Sequence, residues 1–188
     1  MKVYDAIGAE YRDWRSADIG VTEISDLVKD IRARSVLDLG CGNGFPIAEA
    51  VAPLVDDYVG VDSSGVLLDE FKANLPAATA ILSPIESVDL ADQQFDLVFS
   101  FGCIFHLTPE AQRDALGIAS GAVKSGGVLT FNSGTDEGYT TGHVGGHELD
   151  HWSLGEPAYI ELLTNHGLNY RGSQMGRGQN LFFTFKKP

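Results

Sequence analysis

The sequence predicts an α/β domain: a doubly wound, seven-stranded and mostly parallel sheet with helices on both faces and a C-terminal antiparallel hairpin. Three observations predict it. Short apolar runs alternate with amphipathic segments from Ile24 onward. The first run ends in a cluster of glycines, Gly40-Cys41-Gly42-Asn43-Gly44. The last two runs are joined by a polar, glycine-rich turn, the mark of a hairpin at one edge rather than a crossover.

Each element has its own local reason. Val3, Ile7, Tyr11 and Trp14 form an N-terminal amphipathic stripe. Ile24, Leu27, Val28 and Ile31 recur at i, i+3, i+4 and i+7, which predicts a helix with one buried face. Ser35–Leu39 is the first strand. A helix over Ile47–Val51 carries Pro46 near its first turn, where a missing N–H does no harm. Tyr58–Val61 is the second strand, and Ser63 or Ser64 caps the helix bearing Leu67, Leu68, Phe71 and Leu75. Thr79–Leu82 and Phe95–Phe101 follow as strands, the latter apolar on both faces as a central parallel strand should be. Thr108-Pro109 opens a helix that Gly126-Gly127 is expected to close, before a fifth strand at Val128–Phe131. Ser153-x-x-Glu156 reads as a capping box for a helix running to His166, with Gly167 as its stop. Leu168–Arg171 and Leu181–Phe185 complete the sheet. Between Asn132 and Trp152 the chain is rich in glycine, histidine and threonine and reads as a long irregular loop. The expected organisation is one domain over residues 1–188, with helices in 1–33 and the sheet core in 34–188.

Composition narrows the partners. An apolar share of 44% suits a globular chain. Thirteen basic residues against 26 acids leave a formal charge of −13, with no basic patch apart from Lys186-Lys187. That balance predicts no nucleic-acid partner and no membrane partner. No apolar run approaches the ~20 residues that span a bilayer, and the polar start lacks the apolar core of a signal peptide. A cytoplasmic protein, monomer or homodimer, is expected. Cys41 and Cys103 stand in no metal-ligand spacing and imply no disulfide framework.

The glycine run carries the chemistry. Glycines let backbone pass close beneath a ligand, and the following helix turns its free N–H groups toward the same place. About 20 residues on, Asp62 ends the second strand, placed to accept hydrogen bonds from the ribose hydroxyls of an adenosine. A dinucleotide loop reads G-x-G-x-x-G, whereas here Phe45 takes the place of the third glycine. Asp38, two residues before the loop, would repel a pyrophosphate and suits an ammonium group.

Through Val36–Gly44, Gly60–Ser64, Phe95–Ser100 and Val123–Leu129 the sequence resembles the class I S-adenosylmethionine-dependent methyltransferases, in particular the small enzymes acting on small molecules. The resemblance implies a Rossmann-like fold, S-adenosyl-L-methionine as cofactor and methyl transfer to a small-molecule acceptor. It implies that Asp38 and the backbone of Gly40, Cys41 and Gly42 hold the methionine part, that Asp62 binds the ribose and that Ser63 lies beside the adenine. It also implies an adenine contact from Ile85 or Glu86 and a floor under the sulfonium from Ser100 to Gly102. Tyr4, Tyr11 and Arg15 become candidates for a cap over the cofactor. Ser83-Pro84 stands where many relatives carry an aspartate for the adenine amino group. A binding protein of the same fold without turnover, or a nicotinamide-dependent oxidoreductase, are the alternatives, the second disfavoured by Phe45.

Methyl transfer is an in-line displacement in which positioning supplies much of the acceleration. Where a base is needed, histidine suits neutral pH. His106 either fixes the loop after the fourth strand or acts in catalysis. His143, His147 and His151, four apart, are candidates for the acceptor pocket; Gly142, Gly145 and Gly146 argue against a helix that would gather them on a metal, and no metal site is expected. Residues 1–15 and 134–150 are expected to be the covers of the site.

Overall fold

The computed structural model describes residues 2–188, with the side chains of Lys2, Ala9, Tyr11, Trp14 and Gln179 outside the description. The expectation placed on Tyr11 therefore lies outside the described residues. The elements run α1 (Lys2–Ile7), a 3-10 segment (Gly8–Trp14), α2 (Val21–Ile31), β1 (Ser35–Leu39), α3 (Ile47–Val51), β2 (Asp57–Asp62), α4 (Gly65–Asn74), β3 (Thr79–Leu82) and β4 (Phe95–Ser100). They continue α5 (Pro109–Gly121), β5 (Val123–Asn132), β6 (Glu137–Val144), β7 (His147–Leu154), α6 (Glu156–Asn165), β8 (Asn169–Met175) and β9 (Leu181–Lys186).

Seven strands form one sheet in the order β3-β2-β1-β4-β5-β9-β8. β1 is parallel to both β2 and β4, and β9 lies antiparallel between β5 and β8. This is the predicted α/β sheet with its C-terminal hairpin. Successive residues of the central strands feed opposite faces: Val36 and Leu97 pack with α2, α3 and α4, Leu37 and Val98 with α5 and α6. Burial on both faces explains why these strands read as continuous apolar runs. The strand order reverses between β1 and β4, so a crevice opens at their carboxyl ends, where such sheets bind ligands.

Two caps follow the sequence. Ser64 Oγ accepts from Leu67 N at 3.3 Å at the start of α4, and Thr108 Oγ1 accepts from Ala111 N at 3.4 Å at the start of α5. Three expectations are corrected. α5 ends at Gly121, and Gly126-Gly127 lie inside β5, where a Cβ on Gly127 would come within 2.9 Å of Asp96 O and Lys124 O. The glycine there serves a bulge against β4, not a helix stop. Ser153 makes no capping box: its hydroxyl donates to Gly134 O at 2.9 Å and accepts from Gly155 N at 3.1 Å, and α6 starts behind Gly155. The stretch read as irregular is the β6–β7 hairpin, closed by Gly145-Gly146 with φ of 57° and 78°. Positive φ at both central residues is the turn that matches strand twist.

A buried polar cluster moors this hairpin to the sheet. The Tyr159 hydroxyl donates to Gln112 Oε1 at 2.7 Å, accepts from Leu154 N at 3.1 Å and lies 2.7 Å from Ser133 Oγ. Gln112 Nε2 donates to Leu107 O and Trp152 O, both at 3.0 Å. Tyr159 and Gln112 are fully buried. Tyr159→Phe keeps the volume but leaves buried partners unsatisfied, so chemical denaturation should report a loss of about 2–3 kcal/mol.

Candidate active site

β1 delivers Asp38 to the crevice, and the chain then turns through Gly40, Gly42 and Gly44 at φ of 89°, 56° and 87°. Gly40 N and Cys41 N both donate to Val61 O, at 2.8 and 3.0 Å, which ties the loop to the end of β2. Asp62 locks it from the other side: its carboxylate accepts from Gly42 N and from Ser64 N, each at 2.8 Å. Burial raises the Asp62 pKa against the pull of these N–H donors. Ser63 follows Asp62 at the entry to α4.

Asp38 is 3% exposed, and the Tyr58 hydroxyl donates to its Oδ2 at 2.8 Å. Burial pushes its pKa up to about 7. A carboxyl group held this way gains a great deal from a cation placed against it. Cys41 is buried too, and burial drives its thiol well above the ordinary range, so it offers packing and backbone rather than a thiolate.

The other residues singled out in the sequence take varied places. Ser100 Oγ donates to Leu39 O at 2.7 Å, so its hydroxyl stitches β4 to β1. Ile85 sits in the core beside Leu37 and Val98. Glu86 has a buried carboxylate oxygen, Oε2, with no hydrogen-bond partner. The Arg15 guanidinium lies over Gly102, 3.1 Å from where a Cβ would stand, and 5.8 Å from the Phe101 ring centroid. The Tyr4 hydroxyl meets His106 Nε2 at 2.9 Å, and the Asp5 carboxylate accepts from Ser64 Oγ at 2.6 Å. The N-terminal segment thus fills the crevice. Arg15, Asp38 and Gly40 line one remnant cavity of about 10 Å³. Tyr4, Asp62, Gly102 and His106 line another of about 40 Å³. Ligand pockets run to ~300–1,000 Å³, so the segment has to shift for a nucleoside to enter.

The four histidines separate. His106 Nδ1 faces Asp150 O at 3.2 Å, which makes Nδ1 the protonated nitrogen and Nε2 the acceptor of the Tyr4 hydroxyl. Burial lowers its pKa to about 4 and keeps that neutral form. It pins the N-terminal segment to β7 and has no ring nitrogen left for an acceptor. His151 stacks edge-on against it, with centroids 4.8 Å apart, and its buried Nε2 has no hydrogen-bond partner. Burial lowers its pKa as well. His143 and His147 are exposed near the hairpin turn, three and four register steps from the pairing of His151 with Thr140, and the structure does not bring them to the crevice. Val144 beside them packs on Ile7 and Leu67, so the two covers touch each other.

A larger cavity, about 490 Å³, opens under the hairpin between Phe105, Asn132, Asp136, Glu137, Tyr139, His151 and Trp152. Asn132 joins it to the crevice: its Oδ1 accepts from Gly102 N at 2.7 Å, and its Nδ2 donates to Asn180 Oδ1 at 3.2 Å. Sequence reasoning missed Asn132, Asn180, Tyr139 and Trp152. The position of Asn132 at the end of the strand beside β4 is the signal that could have found it.

A family model described as a methyltransferase domain matches residues 36–127. A tRNA U34 carboxymethyltransferase of Pseudomonas aeruginosa (strain LESB58) is 32% identical over 141 residues, covering 72% of this chain and 42% of that protein. The chain thus spans about two-fifths of the length of this curated relative. Among solved structures, the CcbJ methyltransferase from Streptomyces caelestis superposes with a TM-score of 0.78 at 17% identity, over 96% of both chains. CalS10, an amino pentose methyltransferase from Micromonospora echinaspora, superposes with a TM-score of 0.75 at 19% identity, over 100% of this chain and 98% of that one. These two likenesses show the fold. The relative's name corrects one expectation: the exclusion of nucleic acid, drawn from the charge of −13, does not stand. Net charge sums over a whole surface, whereas a nucleic acid is held by local contacts. No described helix is long and apolar enough to cross a membrane.

Proposed function

We propose, for a chain that belongs to the class I S-adenosylmethionine-dependent methyltransferases, methyl transfer in this crevice to an acceptor held in the cavity under the hairpin. The observation that carries the reading is Asp38: a carboxylate buried at the root of a glycine loop, with burial opposing its charge and a cation as the remedy. The donor set fits the cofactor. Asp38 would hold its ammonium group, the loop from Gly40 to Gly42 would pass beneath it, and Asp62, already fixing that loop, would accept from the ribose. Bound there, S-adenosylmethionine supplies an activated methyl group on a sulfonium.

The chain's own residues do the rest. Tyr4 and Arg15 close over the crevice and exclude water. Asn132 fixes the Gly102 peptide at the junction between crevice and cavity. His106 positions the cover, and His151 Nε2, buried and unpaired in the free chain, is the base we assign to the acceptor once the cover shifts. We take residues 1–188 as one domain in which the stretch before α2 forms the cap and α2 itself packs on the sheet. A small-molecule acceptor fits the open cavity of about 490 Å³, and the solved neighbour CalS10 is named for an amino pentose. A tRNA acceptor is the second reading, favoured by the name of the 32% identical relative.

Incubation with methyl-labelled cofactor tests the proposal, with an unfractionated tRNA pool and a panel of small amines, alcohols and thiols as acceptors. Label on any of them supports methyl transfer, and its place chooses between the readings. Absence of label from all of them, with cofactor bound, would leave a binding protein. His151→Ala should lower kcat about 100-fold, within the range for a lost general base, and leave affinity for S-adenosylhomocysteine within about twofold. Because burial lowers its pKa, His151 keeps its neutral form to more acid pH than an ordinary histidine does. The kcat profile should therefore hold on its acid side past the point where an ordinary histidine would protonate.

A further inference from the structure

We propose that the group methylated is the nitrogen of a cationic amine. The inference rests on reading the cavity under the hairpin as the acceptor site, and it follows from the chemistry of the wall. Two acidic residues, Asp136 and Glu137, belong to the lining. The rings of Tyr139 and Trp152 lie together with centroids 4.4 Å apart, and Phe105 adds a third aromatic face. No lysine or arginine appears among the described residues lining the cavity. Asp150, just outside the lining, adds another carboxylate, which accepts from the Tyr139 hydroxyl at 2.7 Å.

Carboxylates beside electron-rich aromatic faces form an environment selective for an organic cation. An acceptor presenting a phosphate or carboxylate would meet like charge and no cationic partner. A neutral alcohol would gain neither the attraction to the carboxylates nor the cation–π contact with the rings. An ammonium gains both. The site's position suits transfer as well, since Asn132 is shared between this cavity and the Gly102 peptide of the crevice.

The reaction balances. The ammonium first gives one proton to water by way of His151 Nε2, which frees the nitrogen lone pair. That pair forms the new N–C bond, and the electrons of the broken S–C bond stay on the donor sulfur, which becomes a neutral thioether. Two cations, ammonium and sulfonium, become a methylammonium and a released proton, so charge is conserved.

The test uses paired probes that differ in the amine alone: benzylamine with benzyl alcohol, and glucosamine with glucose. Each is titrated by saturation-transfer NMR into the full chain loaded with S-adenosylhomocysteine, so the readout is binding and not turnover. At least one amine should bind ten times or more tighter than its alcohol, and added salt should weaken it. In the double variant Asp136→Asn, Glu137→Gln that preference should vanish while calorimetric affinity for S-adenosylhomocysteine is unchanged. Both residues are exposed, so the variant should fold. Equal binding of amine and alcohol, no binding of either amine, or a preference that survives the double variant would each overturn the inference. So would unfractionated tRNA binding to the cavity, scored by displacement of the probe. If S-adenosylhomocysteine itself fails to bind, the proposed function falls separately, and the same paired comparison on the free chain still decides the amine.

Discussion

Asp38→Asn is expected to make the free protein more stable above pH 7 while weakening its hold on S-adenosylhomocysteine about 10- to 100-fold. The two halves have one cause. In the wild type the carboxyl group is buried against Tyr58, and its pKa is raised to about 7. An unfolded aspartate titrates near ~3.9. Between those values the folded chain keeps a proton that the unfolded chain has released, so this group's contribution to stability declines as pH rises from about 4 to about 7. Above that interval the contribution is flat and at its least favourable, because a charge is then buried. Asparagine can keep the hydrogen bond from Tyr58 and carries no charge to bury. Melting curves at pH 5 and 8 should show the variant gaining over the wild type chiefly at pH 8.

Cofactor binding runs the other way. An ammonium beside Asp38 requires the carboxylate, so wild-type affinity should rise with pH through 7 and flatten above it. Below 7, binding should be accompanied by proton release. A charge-assisted hydrogen bond to a ligand is worth about 1.5–3 kcal/mol, which sets the size of the loss in the variant. Calorimetry in two buffers of different ionisation enthalpy measures both the affinity and the released proton. A variant that loses stability at pH 8 and binds normally would remove Asp38 from the site.

Gly40→Ala should have the largest structural effect. Gly40 has φ of 89°, and a Cβ there would stand 2.5 Å from both Cβ and Sγ of Cys103. The left-handed backbone costs a non-glycine residue about 1–2 kcal/mol, and overpacking adds about 1–3 kcal/mol. A combined loss of about 2–5 kcal/mol should lower Tm by about 4–20 °C at ~2–4 °C per kcal/mol. The loop relieves the clash only by moving, so cofactor affinity should be lost as well. Gly65→Ala is the control: a Cβ there meets nothing within 4 Å, and stability should hold. Cys103→Gly added to Gly40→Ala should restore the packing part and leave the backbone part.

The places where sequence reasoning succeeded and failed have physical reasons. The central strands were legible because both faces of the sheet are covered, so Leu97, Val98 and Phe99 had to be apolar in succession. Asp38, Gly40, Gly42 and Asp62 were legible as a group because a strand end, a tight loop and a second strand end impose a spacing. The β6–β7 hairpin left no such trace. Most of its residues are exposed, so no alternation of polar and apolar side chains was demanded, and Gly145-Gly146 was its one clear mark. The same turn undid the reading of the histidines. A four-residue interval gathers side chains on a helix, but here the turn sends His143 to one strand and His147 and His151 to the other. Asn132 looked like any polar residue after a strand. It acquires a role only because β5 lies beside β4, which brings its amide to Gly102.

On the proposed function, the crevice at the ends of β1, β2 and β4 holds an S-adenosyl cofactor on Asp38 and the glycine loop. Isothermal calorimetry of the full chain with S-adenosylhomocysteine, and in parallel with NAD and NADP, tests it most directly. One micromolar site per chain is expected for the thioether, with no comparable binding of either dinucleotide. Tighter binding of a nicotinamide dinucleotide, or no binding of S-adenosylhomocysteine between pH 6 and 8, would contradict it.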